Sequence, residues 1–506
     1  MYNNVLKYLN NIVTKKPDKV AFSDGETDLT FRQIYDSSRK IGTYLDQQKI
    51  YKKPVVVFMK KSPEEVAAFF GVVTGGCFYV PIDEEMPVTR VQLILDNVCS
   101  PLVICDEDTL ELTSRFDLKG GKTVLYSDLQ KVDVDDAAVT AIYEKAIDTD
   151  PIYIVFTSGS TGIPKGVCAC HRSVIDYIEQ LSEILNLGED TVFGNQSPLY
   201  FDACLKELYP TLKFGATTYL IPKSKFSMPT TLVEYLNEHK INTICWVVSA
   251  LTMVSAFDTF STVKPEYLHT VAFGSEVFPV TQFLRWREAL PNASFTNLYG
   301  PTEGTGMCCF FRMEKDPKEG EPIPIGRPFP NREILLFKED GKTLAGEGEE
   351  GEICIRGTNL TLGYYNDPER TAQAFVQNPL NTAYPELIYK TGDIGKYNAE
   401  GQLVFVSRKD YQIKHMGHRV ELGEIEVGAD RISGVRMSAC IYDSEKKKIV
   451  LYYIGDLEKE EVSKELKTMF PRYMIPGRIF KIDAMPFTAN GKIDRKTLKA
   501  NYEAGK

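Results

Sequence analysis

Short apolar runs alternate with helix-like segments from Val20 to about Lys409, and this alternation limits the fold more than any other feature of the chain. Pro54-Val55-Val56-Val57-Phe58-Met59 is followed by the helix-like stretch Pro63 to Phe70, and then by Leu102-Val103-Ile104-Cys105. Strands buried on both faces read as unbroken apolar runs, and the helices between them supply the crossovers that parallel strands need. The pattern predicts an α/β fold with mixed, largely parallel sheets. Length adds a second limit, because 506 residues exceed one ordinary hydrophobic core. Beyond Arg408 the texture changes to short strands and short helices over about a hundred residues, the size of a small α+β domain. The expected division is therefore a large N-terminal domain, 1–409, and a small mobile C-terminal domain, 410–506. The polar Arg408-Lys409-Asp410 between two strand-like pieces, Leu403-Val404-Phe405-Val406 and Tyr411-Gln412-Ile413-Lys414, serves as the hinge.

Charge narrows the function. The formal net charge is −10, which leaves no basic footprint for nucleic acid. The tightest basic run, Lys446-Lys447-Lys448, lies between apolar runs and reads as a solvated hairpin turn. No apolar leader follows Met1, and the longest apolar stretch, Val66 to Ile82, is broken by Thr74, Gly75, Gly76 and Pro81, so it reads as a buried helix running into a strand and not a membrane span. Eleven scattered cysteines without zinc-ligand spacing point to reduced thiols in a cytoplasm. A monomer is expected.

The chemistry concentrates first in Phe156-Thr157-Ser158-Gly159-Ser160-Thr161-Gly162-Ile163-Pro164-Lys165-Gly166. It follows the strand-like Ile152-Tyr153-Ile154-Val155, so four hydroxyls and one lysine are presented at a strand end. Glycines let backbone N–H groups turn toward an anion, and Lys165 adds a positive charge. The loop is not a Walker sequence, which requires Gly before the lysine and Ser or Thr after it; Pro164 and Gly166 stand there instead.

The order Thr-Ser-Gly-Ser-Thr-Gly-x-Pro-Lys-Gly resembles the signature of the adenylate-forming superfamily, which comprises acyl-CoA synthetases, luciferases and the amino-acid adenylation domains of nonribosomal peptide synthetases. Four further segments match that superfamily in the same order. In Asn297-Leu298-Tyr299-Gly300-Pro301-Thr302-Glu303, the resemblance implies that Asn297, Tyr299 and Gly300 contribute to the ATP site, Tyr299 beside adenine. Thr302 would touch the α-phosphate and Glu303 would hold Mg²⁺, a cation that takes hard oxygen ligands. In Tyr389-Lys390-Thr391-Gly392-Asp393, Asp393 would accept the ribose hydroxyls, joined by Arg408. The segment Gln412 to Glu426 looks like the mobile-domain strand, turn and helix, in which Gly417 lets a phosphopantetheine arm pass. Pro486 to Arg495 resembles the C-terminal motif whose lysine, Lys492, completes the adenylation site. Ser407 departs from the family, which usually has Gly there. His171 is placed like a family histidine lining the acyl-substrate region, and a core histidine fits the position equally.

The resemblance implies two steps: a carboxylate attacks the α-phosphorus of ATP, releasing pyrophosphate, and a thiol then attacks the adenylate. Mg²⁺ on Glu303, Lys492 and the loop donors Thr157, Ser158, Gly159, Ser160, Thr161, Gly162 and Lys165 would offset the charge repulsion. The small domain would swing about Asp410 between the steps.

The start of the substrate-pocket helix, Phe201-Asp202-Ala203, favours amino-acid adenylation, because Asp202 would pair with an α-ammonium and would only penalise a fatty acid. The rest of the pocket, by resemblance, comprises Ala203, Lys206, Cys245, Ala272, Gly274, Leu298, Met307 and Cys308, with Lys492 at the substrate carboxylate. Lys206 in an otherwise apolar pocket suggests a glutamate- or aspartate-like substrate, and a lysine beside the apolar stripe Leu205, Leu208, Tyr209 and Leu212 that snorkels to water fits the position equally. The expected partner is a phosphopantetheinylated carrier protein acting in trans. The layout also resembles D-alanine–D-alanyl carrier protein ligase, but that class has Cys before Gly-Glu in the strand that here reads Phe273-Gly274-Ser275-Glu276, and the glycine is expected to open room. D-alanine activation is thus the alternative, with acyl-CoA synthesis behind it.

Overall fold

The structure is a computed structural model that describes residues 2–159, 162–318, 321–488 and 493–505. Two mostly parallel sheets form its body. One has six strands in the order Lys122–Leu125, Leu102–Cys105, Pro54–Phe58, Phe78–Ile82, Pro151–Thr157 and Lys165–Cys170, all parallel except the last pair. The other has nine strands, and its parallel centre runs through Thr243–Val247, Thr270–Gly274 and Ser294–Tyr299. Both match the expected α/β class. A third, antiparallel sheet contains Leu387–Tyr397 paired with Leu403–Arg408.

Local sequence explains the helices that cover these sheets. Phe31–Gln47 begins at a capping box in which the Thr30 side chain accepts from Gln33 N–H and Gln33 answers the Thr30 backbone. Pro63–Thr74 starts with Ser62 as cap and Pro63 in the first turn, where a missing N–H costs nothing. Nearly every residue of that helix is buried, so it is a core helix, and it runs on to strand Phe78–Ile82 as its composition predicts. Phe22, Phe31, Phe69, Phe70, Tyr79 and Tyr209 fill the space between helices and sheets. At ~25 cal/mol per Å² of apolar surface removed from water, such a layer dominates the stability of the body.

The stretch 132–150 is acidic in sequence. It holds helix Asp136–Lys145, capped by Asp135 through Ala138 N–H. Only Val139 and Ile142 of that helix are buried, which leaves too narrow an apolar stripe to read from sequence.

The division expected at 409/410 falls between strand Leu403–Arg408 and the two-stranded hairpin Gln412–His415/His418–Glu421. The C-terminal residues build helix Leu422–Asp430 and a three-stranded sheet, Val435–Asp443, Lys448–Gly455 and Arg478–Lys481, around their own core of Val420, Ile425, Leu451, Tyr453 and Leu466. Lys446 and Lys447 lie in the turn between the first two of these strands, and Lys448 opens the second. Among the described residues no helix is long and apolar enough to cross a membrane. All eleven cysteines are free thiols, and all but Cys99 are buried.

Candidate active site

The loop at 158–164 connects two antiparallel strands, with Thr157 opposite Lys165. Lys165 therefore opens a strand and not a helix, which is the structural counterpart of the missing Walker residues. Ser160 and Thr161 lie outside the described residues. Thr157 and Ser158 line a cavity beside this loop, and the buried Thr157 Oγ1 has no hydrogen-bond partner among the described residues. Such an orphan is costly in a finished core and suits a ligand oxygen. Lys165 is buried, and burial together with the nearby Arg419 pulls its ammonium down to about 8, although Glu303 and Glu421 favour the charge.

The parallel strand Ser294–Tyr299 delivers the next group at its C-terminal end, where ligands of open α/β sheets gather. Asn297 Nδ2 donates to Pro324 O at 2.8 Å, and the Tyr299 hydroxyl donates to Asp393 Oδ2 at 2.5 Å. Gly300 and Thr302 line the cavity. Glu303 is fully buried; its carboxylate accepts from the Tyr364 hydroxyl at 2.6 Å and from Arg419 Nη1 at 2.7 Å. Burial alone would raise its pKa, but Arg419 and Lys165 outweigh burial and hold it down at about 2.

Asp393 and Arg408, fifteen positions apart in sequence, are register partners across a strand pair, which brings them within 2.7 Å. Arg408 also forks onto both oxygens of Asp410, at 2.8 and 2.7 Å. Asp393 and Asp410 thus share one guanidinium.

Asp202 and Ala203 stand in a short 3-10 turn, Asp202–Cys204, that runs into helix Leu205–Phe214, and both line the cavity with Tyr177, Val247, Gly306 and Met307. Burial raises the Asp202 carboxyl to about 6 against the opposing pull of Lys206, with the nearby Thr302 side chain and Gly306 N–H also favouring the charged form. Phe201 occupies the N-cap position of the 3-10 turn and makes no side-chain capping bond, and Asp202 is the first residue inside the turn.

Lys206, Cys245, Ala272, Gly274, Leu298 and Cys308 do not line that cavity. They lie buried behind it, Cys245, Ala272 and Leu298 in the core with Leu205 and Leu208. Two expectations change here. Lys206 is not in apolar surroundings, since its charge acts on the carboxyls of both Asp202 and Glu207. Gly274 opens no room either: a Cβ there would sit 2.2 Å from Leu298 O on the neighbouring strand, so the missing side chain is consumed by close strand approach. The cavity is further narrowed by Tyr177, whose ring lies 2.6 Å from where a Cβ on Gly306 would be.

The C-terminal hairpin reaches into the same cavity. Its turn, Met416-Gly417, has positive φ at both residues, 52° and 79°, the signature of a tight two-residue hairpin turn. Gly417 N–H donates to Glu276 Oε1 at 3.2 Å, and a Cβ at Gly417 would meet Val247 Cγ1 at 2.5 Å. Lys414 Nζ stands 5.1 Å above the Tyr299 ring. Lys492 lies outside the described residues.

His171 does not line the cavity. It opens helix His171–Ile184 on another face and is placed to accept the Val5 N–H at 3.3 Å through Nδ1; burial pulls its imidazole down to about 4. Residues that sequence reasoning did not single out include Tyr364, Glu276, Arg90, Arg419, Glu421 and Glu424. The last three lie within the quoted mobile-domain segment, whereas nothing local marks Arg90.

Comparison with known proteins accords with this geometry. The family model "AMP-binding enzyme" matches residues 9–365. The chain is 31% identical over 510 residues to a plipastatin synthase of Bacillus subtilis (strain 168), covering 98% of this chain but 14% of that protein. It is 31% identical over 514 residues to the D-alanine--D-alanyl carrier protein ligase of Bacillus cytotoxicus, covering 99% of this chain and 100% of that one. The chain therefore spans a small part of its modular relative and the whole length of the ligase. Among solved structures, the Vibrio cholerae adenylation domain AlmE in complex with glycyl-adenosine-5'-phosphate superposes with a TM-score of 0.85 at 21% identity, over 100% of this chain and 98% of that chain.

Proposed function

The chain belongs to the AMP-binding enzyme family and is an adenylate-forming ligase, and from that premise we propose that it activates a small amino acid as its aminoacyl-AMP and hands it to the phosphopantetheine thiol of a separate carrier protein. One observation carries the reading: Asp202, Thr302, the loop residues Thr157 and Ser158, and the Asp393–Arg408 pair all face one cavity, and Gly417 enters it. That set provides one partner each for an ammonium, an α-phosphate, a polyphosphate and a ribose.

In this reading Asp202 holds the substrate ammonium and points its carboxylate toward Thr302. Asp393 and Arg408 hold the ribose, and Asn297, Tyr299 and Gly300 border the adenine. The loop, Ser160 and Thr161 included, cradles the β- and γ-phosphates and Lys165 offsets their charge. No general base is needed, because the attacking carboxylate is already ionised. Glu303 suits Mg²⁺, since it is a hard-oxygen ligand held ionised at the loop's edge; a bound Mg²⁺ would neutralise charge on the α-phosphate and the departing pyrophosphate. Lys492 would bridge substrate carboxylate and nucleotide in the first step, and Gly417 would let the pantetheine pass in the second.

A small substrate is supported by Tyr177, which packs against Gly306 and narrows the cavity it lines with Ala203 and Met307. D-alanine heads the candidates, supported by the ligase relatives that match the chain over its full length. An acidic amino acid is the second reading, and it loses ground because Lys206 already has Asp202 and Glu207 beside it. ATP–pyrophosphate exchange with glycine, both alanine enantiomers, glutamate and aspartate tests the choice. Glutamate or aspartate outrunning every small amino acid would reject the small-substrate proposal. Thioester formation on coenzyme A but never on a phosphopantetheinylated carrier would point instead to an acyl-CoA synthetase.

A further inference from the structure

The Tyr177 hydroxyl takes no part in the adenylation scheme. Tyr177 is wholly buried on helix His171–Ile184, and among the described residues its phenol oxygen has no hydrogen-bond partner. It nevertheless lines the cavity, together with Asp202, Ala203, Gly306 and Met307. The hydroxyl end of the ring is the end that reaches this space, since a Cβ on Gly306 would sit 2.6 Å from Cε1, 2.7 Å from Cζ and 3.1 Å from the phenol oxygen. Gly306 has a φ of 77°, so glycine there serves both the backbone turn and the room the phenol needs. Phe329 and Arg332 fix the ring. Its centroid lies 6.2 Å from that of Phe329 and 5.8 Å from the Arg332 guanidinium, which is itself held by Asp176 at 2.9 Å and by Met307 O.

Buried hydroxyls in a finished core have partners. One that ends in a substrate cavity is available to the substrate. We propose that Tyr177 is a specificity-determining residue whose hydroxyl donates to an oxygen on the side chain of the amino acid, so that the pocket ranks a small hydroxy amino acid of the serine type above alanine. The inference rests on the small-amino-acid reading above and refines it at the side chain. Burial raises the phenol far above its ordinary value, so the hydroxyl keeps its proton and stays a donor. The substrate ammonium can only donate, and the Asp202 carboxylate receives it. A side-chain carboxylate would accept from the phenol, but it would also stand near Asp202 and Glu207, whose charges both act on this phenol, and like charges away from bulk water repel. A neutral hydroxyl meets no such repulsion. A methyl in its place leaves the phenol unpaired, and a site that hydrogen-bonds a substrate hydroxyl discriminates strongly against the analogue lacking it.

ATP–pyrophosphate exchange on the full chain tests this with serine, alanine and 2-aminobutyrate in both enantiomers, and with glycine. 2-Aminobutyrate has the shape of serine with a methyl in place of the hydroxyl, so size does not separate the two. Serine should exceed 2-aminobutyrate of the same hand by at least about tenfold in kcat/KM. In Tyr177→Phe, which keeps the ring and its packing, that preference should disappear. The ratio is read within one protein, so a smaller folded fraction does not move it. Glycine, alanine or 2-aminobutyrate matching serine in the unaltered chain overturns the proposal, and so does a Tyr177→Phe enzyme that keeps the unaltered ratio. Exchange with no amino acid at all overturns the amino-acid reading beneath it.

Discussion

Asp202 is the residue whose environment makes the sharpest prediction. Burial raises its carboxyl to about 6, and only the ionised form pairs with a substrate ammonium. The charged form is the one lost as pH falls, so the apparent KM for the amino acid should rise by about tenfold per unit below pH 6. Exchange kinetics between pH 5 and 7 check this, and a flat KM would remove Asp202 from the ammonium site. Asp202→Asn should abolish that pH dependence and cost about 1.5–3 kcal/mol of charged hydrogen bonding, which is about 10- to 100-fold in kcat/KM. Lys206 shows the limit of arguing from residue type alone. Its sequence neighbours are apolar at the spacing of one helix face, yet it lies near Asp202, four positions back, and beside Glu207.

At the scale of elements, the hairpin turn at Met416-Gly417 combines a left-handed backbone with contact against Val247. Gly417→Ala therefore meets a conformational cost of ~1–2 kcal/mol and a clash as well. The rate of transfer to a carrier should fall at least tenfold more than the rate of pyrophosphate exchange, and equal losses in both would mean that the turn serves the fold alone. Much of this element level was legible in the sequence. The buried runs Pro54–Phe58 and Leu102–Cys105 are strands as their composition predicts, and Asp393 meets Arg408 because a hairpin between them fixes the register. The contribution of Arg90 was not legible. It stands in helix Val88–Val98 and meets Glu424 from more than three hundred residues away, a contact that only three-dimensional packing creates. The closed space behind Gly274 was illegible for a similar reason, since the obstructing atom is a backbone oxygen of another strand.

At the scale of the whole molecule, the two reaction steps should separate cleanly by mutation. Lys492→Ala is expected to lose pyrophosphate exchange while retaining ATP binding and transfer from a supplied aminoacyl-adenylate. Unchanged exchange would reject the mechanism, and loss of ATP binding would mean that the lysine acts on the nucleotide alone. Arg90 and Glu424 form a buried pair, 2.9 Å apart, between helix Val88–Val98 and the C-terminal helix Leu422–Asp430. Removing one partner of a buried pair costs ~3–5 kcal/mol because the other charge is stranded, so both side chains have to change together if the contact is to be relieved without strain.

Arg408 carries a practical consequence for building chimaeras. Its guanidinium is shared between Asp393 on the neighbouring strand and Asp410 just beyond its own. Exchanging C-terminal segments between related enzymes at a seam between Asp393 and Asp410 would pair this arginine with one acid from the other parent. A junction at Tyr411, exposed and past the shared charge, keeps the three groups from one parent and transfers the hairpin as a unit.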